Sequence, residues 1–477
     1  MQTFVLSSCI GPNLKRVGEF VLNTTEHIHF IGIGGYGMSA IARVMLEMGY
    51  TVTGSDVAEQ DLTEKLRKKG ATVHIGHDPA YVQNADTVVY STACPKENVE
   101  RVAAEQQGIP VIHRSQMLAR LLNAKKGIAV AGAHGKTTTS SMIAFVMERC
   151  GVDPTYIIGG EVTNLGTNAQ AGNSEYVVAE ADESDGSFLN YHPHIAVVLN
   201  IEADHLENYG GDFERLKEAY VLFLSQVSAE GCSVLCADDP IVGSMLPNLG
   251  AGVVTYGIEQ AADYTATEII AEDRGMIFTM NHQGKALGTV QLSIPGTHNV
   301  LNAMATIIVA MRAGIPFEQA SAAIVDFIGA KRRFQVIGEE QGVLVVDDYA
   351  HHPTEIEATL TAAKATNRRI VAVFQPQRYS RTYFLFDQFS RAFEGADELI
   401  LTDIYSPAGE KPIEGVHSSK LVDRIRENSN SNAQYIADKS DALEHLKSIV
   451  KSGDLVITMG AGDIWKTARD LTEALKS

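Results

Sequence analysis

The sequence has few of the features that indicate a secreted, membrane-spanning or nucleic-acid-binding protein. Only five of its 477 residues are cysteine, and Lys and Arg number 39 against 58 Asp and Glu, for a net charge of −19. This shortage of basic residues argues against binding to nucleic acid or to anionic membranes. No run approaches the roughly 18 apolar residues of a spanning helix, and the start lacks the apolar core of a signal peptide. We therefore expect a cytoplasmic protein without membrane insertion.

The cysteines lie at positions 9, 94, 150, 232 and 236. Cys232 and Cys236 are close enough to suggest a metal or redox element, but no His/Cys pair follows at zinc spacing. Buried free thiols in a reducing compartment are the favoured interpretation.

Strand-like apolar runs alternate with helix-like segments along most of the chain, which predicts an α/β protein with mostly parallel sheets. Three glycine-bearing strand-to-helix turns follow "HIHFIGIGG", "GIAVAGAHGK" and "DLVITMGAGD". Breaks in the pattern fall near residues 121–127 and 327–342. We predict three domains, 1–123, 124–330 and 331–477.

The first glycine turn has the spacing Gly32-x-Gly34-x-x-Gly37, followed by a helix and a strand ending at Asp56. Such glycines let the backbone approach a diphosphate at a helix N-terminus, while the acid takes a ribose hydroxyl. The pattern suggests NAD, but the same geometry serves a UDP-sugar. Close helix–strand packing is the structural alternative.

The second turn, "VAGAHGKTTTSS", departs from a Walker A loop because Val130 occupies the position of the first glycine. Gly132 and Gly135 form the turn, and Lys136 and Thr137 open a helix. Backbone amides and the helix dipole favour phosphate, Lys136 neutralises its charge, and Thr137 reaches Mg²⁺. The alternative is a surface loop with a solvated lysine.

Acidic side chains follow two later strands, and carboxylates at strand ends facing a phosphate loop suit a hard Mg²⁺ ion. A solvated acidic loop explains either cluster alone, but not two clusters after a Gly-Lys-Thr turn. The residues are Glu180, Asp182, Glu183 and Asp185 after one strand, and Glu202, Asp204 and His205 after the other.

The motifs "AGAHGKTTTS", "AEADESDGSF", "NIEADH", "PGTHNVLNAMAT" and "DDYAHHPTEI" together resemble the ATP-dependent Mur ligases of peptidoglycan synthesis. The resemblance covers nearly the whole chain. It implies an N-terminal Rossmann-like UDP-binding domain, a central P-loop-type ATPase domain and a C-terminal Rossmann-like domain that binds an amino acid. "IGIGGYGMSAIA", "GSD", "RRFQ" and "FQPQRYSRT" are most similar to the branch that uses L-alanine.

By this resemblance, ATP is bound along the second turn and at the start of a later helix. The residues concerned are Gly132, Ala133, His134, Gly135, Lys136, Thr137, Thr138, His298, Asn299, Asn302, Arg333 and Asp348. Thr137, Glu180 and His205 are the implied metal ligands. The implied UDP-sugar residues are Gly32, Gly34, Gly35, Gly37, Met38, Ser39, Ser55 and Asp56. Helix capping explains His298 and Asn299 equally, and a charged linker explains Arg333.

In the third domain, Asp348, His351 and His352 follow a strand, and Arg378 and Arg381 follow another. The two arginines suit a substrate carboxylate, although surface ion pairs also explain them. The family usually has Gly where Ala350 stands, so the conformation of this turn is open.

The resemblance implies an ADP-forming carboxylate–amine ligase that joins L-alanine to UDP-N-acetylmuramate through an acyl phosphate. Lys136, Glu180, His205, His351 and Arg381 are the expected catalytic residues, with His205 or His351 assisting amine deprotonation. ATP and Mg²⁺, with Mn²⁺ as an alternative, are the expected cofactors of a monomer or homodimer. Alternatives are the muropeptide-recycling ligase that uses a tripeptide and, more remotely, an NAD-dependent dehydrogenase.

Overall fold

The computed structural model describes residues 22–250, 252–272, 275–406 and 410–476. The expectations for the N-terminal segment and Cys9 therefore lie outside the described residues. The chain divides into two compact units: one is Met1–Gly127 with Asn190–His192, and the other is Ile128–Leu189 with Pro193–Ser477. Both are α/β, as the sequence predicts.

The first unit contains a five-stranded parallel sheet in the order β3-β2-β1-β4-β5. Because the chain leaves β1 to one side for β2 and later returns to its other side at β4, a crevice opens beyond the carboxyl end of β1. The strands are β1 (His27–Ile31), β2 (Thr51–Asp56), β3 (Thr72–Ile75), β4 (Thr87–Tyr90) and β5 (Val111–His113), and the helices are α1 (Tyr36–Glu47), α2 (Asp61–Lys68), α3 (Val99–Gln106) and α4 (Arg114–Asn123).

The second unit begins with a ten-stranded sheet in the order β15-β14-β13-β12-β11-β10-β6-β9-β7-β8. Strands β6, β10, β11, β12 and β13 run parallel, while β13–β15 form an antiparallel edge. The strands are β6 (Lys126–Ala131), β7 (Thr155–Val162), β8 (Thr167–Gln170), β9 (Tyr176–Glu180), β10 (Ile195–Val198), β11 (Cys232–Cys236), β12 (Val253–Gly257), β13 (Tyr264–Glu272), β14 (Gly275–His282) and β15 (Lys285–Leu292). The helices are α5 (Lys136–Arg149), α6 (Phe213–Ser225), α7 (Pro240–Met245), α8 (Thr297–Arg312) and α9 (Phe317–Ile324).

The same unit ends with a six-stranded sheet in the order β16-β17-β21-β18-β19-β20, parallel except for the β16–β17 pair. The strands are β16 (Gln335–Glu340), β17 (Val343–Asp348), β18 (Arg369–Phe374), β19 (Glu398–Leu401), β20 (Ala433–Tyr435) and β21 (Asp454–Met459). The helices are α10 (Pro353–Lys364), α11 (Tyr379–Phe384), α12 (Phe386–Arg391), α13 (Ser418–Asn428), α14 (Lys439–Ile449) and α15 (Trp465–Leu475).

The central strands are buried on both faces, which explains their nearly continuous apolar sequence. In β17, Leu344 and Val346 pack into one core cluster, while Val343 and Val345 pack into another on the opposite face. Polar residues therefore collect at the strand ends, where the candidate sites lie.

Cys232 and Cys236 are buried free thiols, and Cys94 and Cys150 are partly buried and free. No helix among the described residues is both long enough and apolar enough to span a bilayer.

Candidate functional site

The turn after β1 is held by the end of β2. The amides of Gly32 and Ile33 both donate to the Ser55 carbonyl, at 2.8 and 2.9 Å, and Gly34 donates to Asp56 Oδ2 at 2.8 Å. Gly32 has a φ of 79°, in the left-handed region that favours glycine. Asp56 therefore orders the backbone of the glycine turn.

The remaining residues of the predicted UDP-sugar set lie at the start of α1. Gly35 is the N-cap residue of this helix, and its amide donates to the Gly32 carbonyl at 3.1 Å. Gly37, Met38 and Ser39 belong to the first turn, where Met38 and Ser39 are buried. The structure thus brings this part of the set to the helix N-terminus, which suits a diphosphate.

A buried carboxylate beneath this turn was missed from the sequence. Glu100 accepts hydrogen bonds from Ser55 Oγ at 2.7 Å and lies 2.9 Å from His29 Nε2, with both its own and the His29 side chain fully buried. Burial alone raises the pKa of Glu100, but its bonds to His29 and Ser55 lower it below the ordinary value. The Ser55 hydroxyl is thereby tied to the interior of the first unit.

The turn after β6 is fixed by the loop that follows β10. The backbone N–H of His134 donates to Asn200 Oδ1 at 2.8 Å, and Asn200 Nδ2 donates to the backbone carbonyl of His134 at 3.1 Å. Gly132 and Gly135 have φ values of 145° and 84°. A Cβ at Gly132 would lie 3.2 Å from the Asn200 carbonyl oxygen, so the close approach of two backbones explains this glycine.

Lys136 is held by a buried ion pair. Both carboxylate oxygens of Glu183 lie 2.8 Å from its ammonium, which also donates to the Gly132 carbonyl. Desolvation lowers the pKa of Lys136, but the charges of Glu183 and Asp182 raise it above its ordinary value. The lysine is therefore a positioned cation at the phosphate turn.

Glu180, at the end of β9, lies beside the first turn of α5. Its Oε1 accepts the Gly159 amide at 2.6 Å and the Ser140 hydroxyl at 3.4 Å. Burial raises its pKa, which hydrogen bonding to Gly159, the charge of Lys136 and hydrogen bonding to Thr137 partly offset. Glu180 and Thr137 thus place two oxygen atoms side by side as possible metal ligands, and oxygen ligands fit a hard divalent cation.

His205, the third predicted metal ligand, lies beyond the end of β10, the strand adjacent to β6. It has a φ of 55°, and its Nε2 lies 3.5 Å from Asp204 Oδ2. Burial raises the pKa of Asp204, but the charges of His205 and Arg381 lower it below the ordinary value.

A cavity of about 370 Å³ opens beside the second turn and has walls from both sheets of the second unit. Its size suits a small-molecule ligand. It is lined by eight of the twelve predicted ATP residues: His134, Gly135, Thr138, His298, Asn299, Asn302, Arg333 and Asp348.

Within the cavity wall, the asparagines of α8 form a short chain. Asn302 donates to Asn299 Oδ1 at 3.2 Å, and Asn299 donates to the Pro295 carbonyl at 2.6 Å. Gly296 is the N-cap residue of α8, so neither His298 nor Asn299 caps the helix.

The two adjacent arginines of "KRRFQ" have different roles. Arg332 donates to Asp347 at 2.9 Å and to the carbonyls of Gly460 and Gly462, which ties the start of the third sheet together. Arg333 lines the cavity, where its guanidinium lies over the Tyr349 ring. The sequence alone could not separate these two roles.

At the end of β17, Asp348 accepts the amides of Phe334 and Ala350 at 2.6 and 2.7 Å. Burial raises the pKa of Asp348 to about 6, against the lowering effect of the Arg333 charge. The backbone of Ala350 lies outside the left-handed region, so this turn accommodates alanine where the family usually has glycine.

A cluster of imidazoles and carboxylates joins the second turn to the start of α10. His134 Nδ1 lies 3.0 Å from Glu355 Oε1, its Nε2 lies 3.2 Å from Glu202 Oε2, and His352 Nδ1 lies 3.7 Å from that same Glu202 oxygen. Burial alone lowers the pKa of His134, but Glu202 and Glu355 raise it to about 9. Glu355, 221 residues from His134, was missed because this contact is not local in sequence.

His351 and Arg381 lie near this cluster, since the charge of Arg381 acts on both His351 and Asp204. Burial lowers the pKa of His351 to about 4, although the Glu355 charge opposes the shift. Arg381 Nη1 donates to Gln377 Oε1 at 2.9 Å, and Arg378 is exposed with a φ of 70°. Glu410, also missed from the sequence, accepts the amides of Tyr379 and Ser380 beside these arginines.

Three family models match successive parts of the chain. They are the Mur ligase family catalytic domain over residues 27–126, the Mur ligase middle domain over 130–310, and the Mur ligase glutamate ligase domain over 332–462. The chain belongs to the Mur ligase family, which confirms the resemblance read from its motifs. Its domain boundaries, at 123/124 and 330/331, stay a prediction.

Particular relatives narrow the comparison. A protein from Symbiobacterium thermophilum is 50% identical over 457 residues, covering 94% of this chain and 95% of its own, and one from Geotalea uraniireducens is 50% identical over 452 residues, covering 94% and 98%. Both are named UDP-N-acetylmuramate–L-alanine ligase.

Among solved structures, the UDP-N-acetylmuramate–alanine ligase MurC of Thermotoga maritima has a TM-score of 0.78 at 30% identity, covering 94% of this chain and 99% of its own. A murein peptide ligase from Psychrobacter arcticus has a TM-score of 0.67 at 27% identity, covering 94% and 98%. The likeness to the alanine ligase is thus the greater of the two.

Proposed function

We infer that this protein joins L-alanine to the lactyl carboxylate of UDP-N-acetylmuramate in peptidoglycan precursor synthesis, with ATP converted to ADP and phosphate. The observation that carries this function is the nucleotide-sized cavity beside Lys136, in a chain half identical to alanine ligases over 94% of its length. The carboxylate takes the γ-phosphoryl group, and the amine of alanine attacks the acyl phosphate and releases phosphate.

We propose that the ATP phosphates lie along the turn from Gly132 to Thr138. Lys136 supports this assignment because it is a buried, charged side chain at the N-terminus of α5, where backbone amides also favour anions. Phosphoryl transfer depends mainly on such charge neutralisation and positioning. The cavity residues of α8 and of the β17 end, with Arg333, contact the rest of the nucleotide.

We propose Mg²⁺, with Mn²⁺ as a substitute, as the metal used with ATP. The Thr137 hydroxyl, the Glu180 carboxylate and the His205 imidazole hold it, and the neighbouring oxygens of Thr137 and Glu180 support this set. The metal supplies positive charge that offsets the charge of the phosphates.

We propose that the UDP-sugar binds at the turn after β1, along Gly32, Gly34, Gly35 and the first turn of α1. The N-terminus of α1, where backbone amides favour an anion, and the carboxylate of Asp56 support this placement. Arg378, Arg381 and His352 are proposed to hold the amino acid. Neither histidine is assigned as the base for the amine: His351, with a pKa of about 4, is a weak base near neutral pH, and a His205 imidazole that holds the metal has no free nitrogen to accept a proton.

The activity is tested with ATP, Mg²⁺, UDP-N-acetylmuramate and L-alanine, by following phosphate release. Release should require both the sugar nucleotide and alanine. Lys136→Ala should reduce it by about 100- to 1,000-fold, because the positive charge that neutralises the transferred phosphoryl group is lost. Release independent of the sugar nucleotide, AMP as a product, or unchanged turnover in Lys136→Ala would contradict the proposal.

The murein peptide ligase likeness supports a second candidate function, the recycling reaction that uses a tripeptide. Comparing L-alanine with an L-Ala-containing tripeptide as acceptor separates the two. A reduced nicotinamide formed with NAD would instead favour the remote dehydrogenase alternative. We further propose that the protein acts in the cytoplasm. We also propose that it is a monomer or a homodimer, and analytical sedimentation would distinguish these two states.

A further inference from the structure

We propose that His134, Glu202 and His352 form a second metal site, for a borderline transition-metal dication such as Zn²⁺ or Co²⁺. One ligand atom from each residue lies within 4.8 Å of the other two, and the contacts of Glu202 Oε2 with His134 Nε2 and His352 Nδ1 point to these three atoms. None of these residues belongs to the proposed Mg²⁺ set of Thr137, Glu180 and His205.

The state of the imidazole nitrogens points to a missing partner. His134 Nε2 contacts Glu202 Oε2 at 3.2 Å, and His352 Nδ1 lies 3.7 Å from the same oxygen; both nitrogens are buried, and neither makes a hydrogen bond of good geometry among the described residues. Buried polar atoms nearly always have well-formed hydrogen bonds, so two nitrogens that face one carboxylate without them need an explanation. A bound cation gives each of them a partner.

The spacing is close to what a tetrahedral ion requires. Metal–ligand distances of about 2.0–2.1 Å place neighbouring ligand atoms roughly 3.4 Å apart. Two of the three pairs, at 3.2 and 3.7 Å, are close to this spacing, and the third, within 4.8 Å, needs to close by at most about 1.4 Å. Rotation of one imidazole supplies such a movement.

A carboxylate outside the ligand set already orients His134. Glu355 Oε1 lies 3.0 Å from Nδ1 and accepts its N–H, which leaves Nε2 as the nitrogen directed towards Glu202. Histidine ligands of metals are oriented by such carboxylate partners. Thr354 likewise donates to Glu202 Oε2 at 3.2 Å.

The chemistry of the donors selects the class of metal. Two imidazoles and one carboxylate suit Zn²⁺, Co²⁺ or Ni²⁺, whereas Mg²⁺ takes mainly oxygen ligands and is disfavoured by a set in which nitrogen predominates. His134 and Glu202 line the cavity, so its solvent supplies the fourth ligand. Because His352 precedes α10 and the other two ligands follow β6 and β10, the ion joins the loops of the two sheets of the second unit.

Metal binding is tested on the full chain, stripped of metals and supplied with Mg²⁺ in excess but no ATP. Co²⁺ is the probe, because tetrahedral nitrogen–oxygen coordination gives intense visible absorption. We expect one such Co²⁺ per chain. His352→Gln and Glu202→Gln should each weaken binding by about 100-fold or more, and Glu355→Gln by about 10- to 100-fold.

His282→Gln is the matched control, because this histidine lies on β14 and stacks on Tyr264, with no part in the cluster. It should bind Co²⁺ as the wild type does. The two ligand variants alter different loops, and circular dichroism identifies whichever remains folded. No tetrahedral Co²⁺ spectrum in the wild type, or the same affinity in a folded His352→Gln or Glu202→Gln variant, would overturn the proposal.

Discussion

At the scale of single residues, the buried pair of Lys136 and Glu183 determines which charge faces the phosphate turn. The two side chains are 17% and 5% exposed, so each depends on the other for compensation of its charge. A buried ion pair adds little when both partners are replaced together, but loss of one partner leaves an uncompensated charge. The pair therefore couples stability to the residue that we propose contacts ATP.

This coupling predicts a non-additive double-mutant cycle. Glu183→Gln should lower the free energy of unfolding by about 3–5 kcal/mol, because Lys136 is left charged and buried. Adding Lys136→Met should recover part of that loss. Chemical denaturation of the two single variants and the double variant measures the coupling, and additive effects would show that Lys136 does not depend on Glu183.

Asp348 predicts a dependence of stability on pH. Its pKa of about 6 lies above the ordinary value for an unfolded chain. Between pH 4 and 6 the folded protein therefore binds more protons at this site than the unfolded chain, so stability falls as pH rises through that interval. The raised pKa corresponds to a loss of about 3 kcal/mol in the free energy of unfolding, and this loss is complete above pH 6.

Asp348→Asn removes this titration. The free energy of unfolding of the variant minus that of the wild type should therefore rise by up to about 3 kcal/mol as the pH is raised from 4 to 7. Denaturation midpoints of both proteins across this range measure the difference. A constant difference at every pH would show that Asp348 titrates normally in the folded protein.

At the scale of elements, the two glycines of the first turn differ in what surrounds them. A Cβ at Gly34 would lie 2.8 Å from Asp56 Oδ2 and 2.9 Å from Thr63 Cγ2. Among the described residues, a Cβ at Gly37 would meet Arg114 Nη1 alone, at an ordinary 3.4 Å. The end of β2 and the start of α2 therefore close in on one position of the turn and leave the other open.

We predict that Gly34→Ala destabilises the ligand-free protein by about 1–3 kcal/mol, because Asp56 must move and its bond to the turn is lost. Gly37→Ala should leave stability unchanged or slightly higher, since alanine is the better helix former. Thermal denaturation without substrates compares the two variants. Equal losses would mean that packing around Gly34 does not explain that glycine.

The strand ends of the candidate site could be predicted from sequence, but the contacts between them could not. Glu180 and Asp348 end β9 and β17 as their apolar runs predict, and Asp56 ends β2 as the glycine-turn pattern predicts. The bond between His134 and Glu355 joins residues 221 apart, and no local pattern specifies it. Local periodicity fixes where a strand ends, whereas such contacts depend on which strands become neighbours.

The interior partners of the first turn were hidden for a similar reason. Glu100 appears as an ordinary charged residue at the start of α3, and only the sheet order brings it under Ser55 and His29. A charged residue in a helix is usually exposed, so the sequence favoured the wrong environment for it. The glycine pattern above it was visible because backbone conformation restricts residue type directly.

At the scale of the whole molecule, the sites divide according to the two compact units. The glycine turn after β1 belongs entirely to the first unit, whereas the cavity has walls from both sheets of the second. The sequence predicted three glycine turns and three α/β domains, and the family resemblance placed Arg333 and Asp348 of the third domain in one ATP set with residues of the second. No local pattern showed which contacts let the loops of the two sheets share one cavity. That sharing follows from tertiary contacts such as those of His134 with Glu355.

This arrangement predicts two separate patterns of protection in hydrogen exchange. ATP with Mg²⁺ should protect amides of residues 132–138 and 298–302 and also those of 348–355, because the cavity is lined by all three segments. UDP-N-acetylmuramate alone should protect residues 32–39 and the end of β2. Exchange measured by mass spectrometry, with each substrate added separately, distinguishes these responses. Protection by ATP confined to residues 132–138 and 298–302 would contradict a nucleotide site shared by the two sheets, and protection of 32–39 by ATP alone would place the nucleotide in the wrong unit.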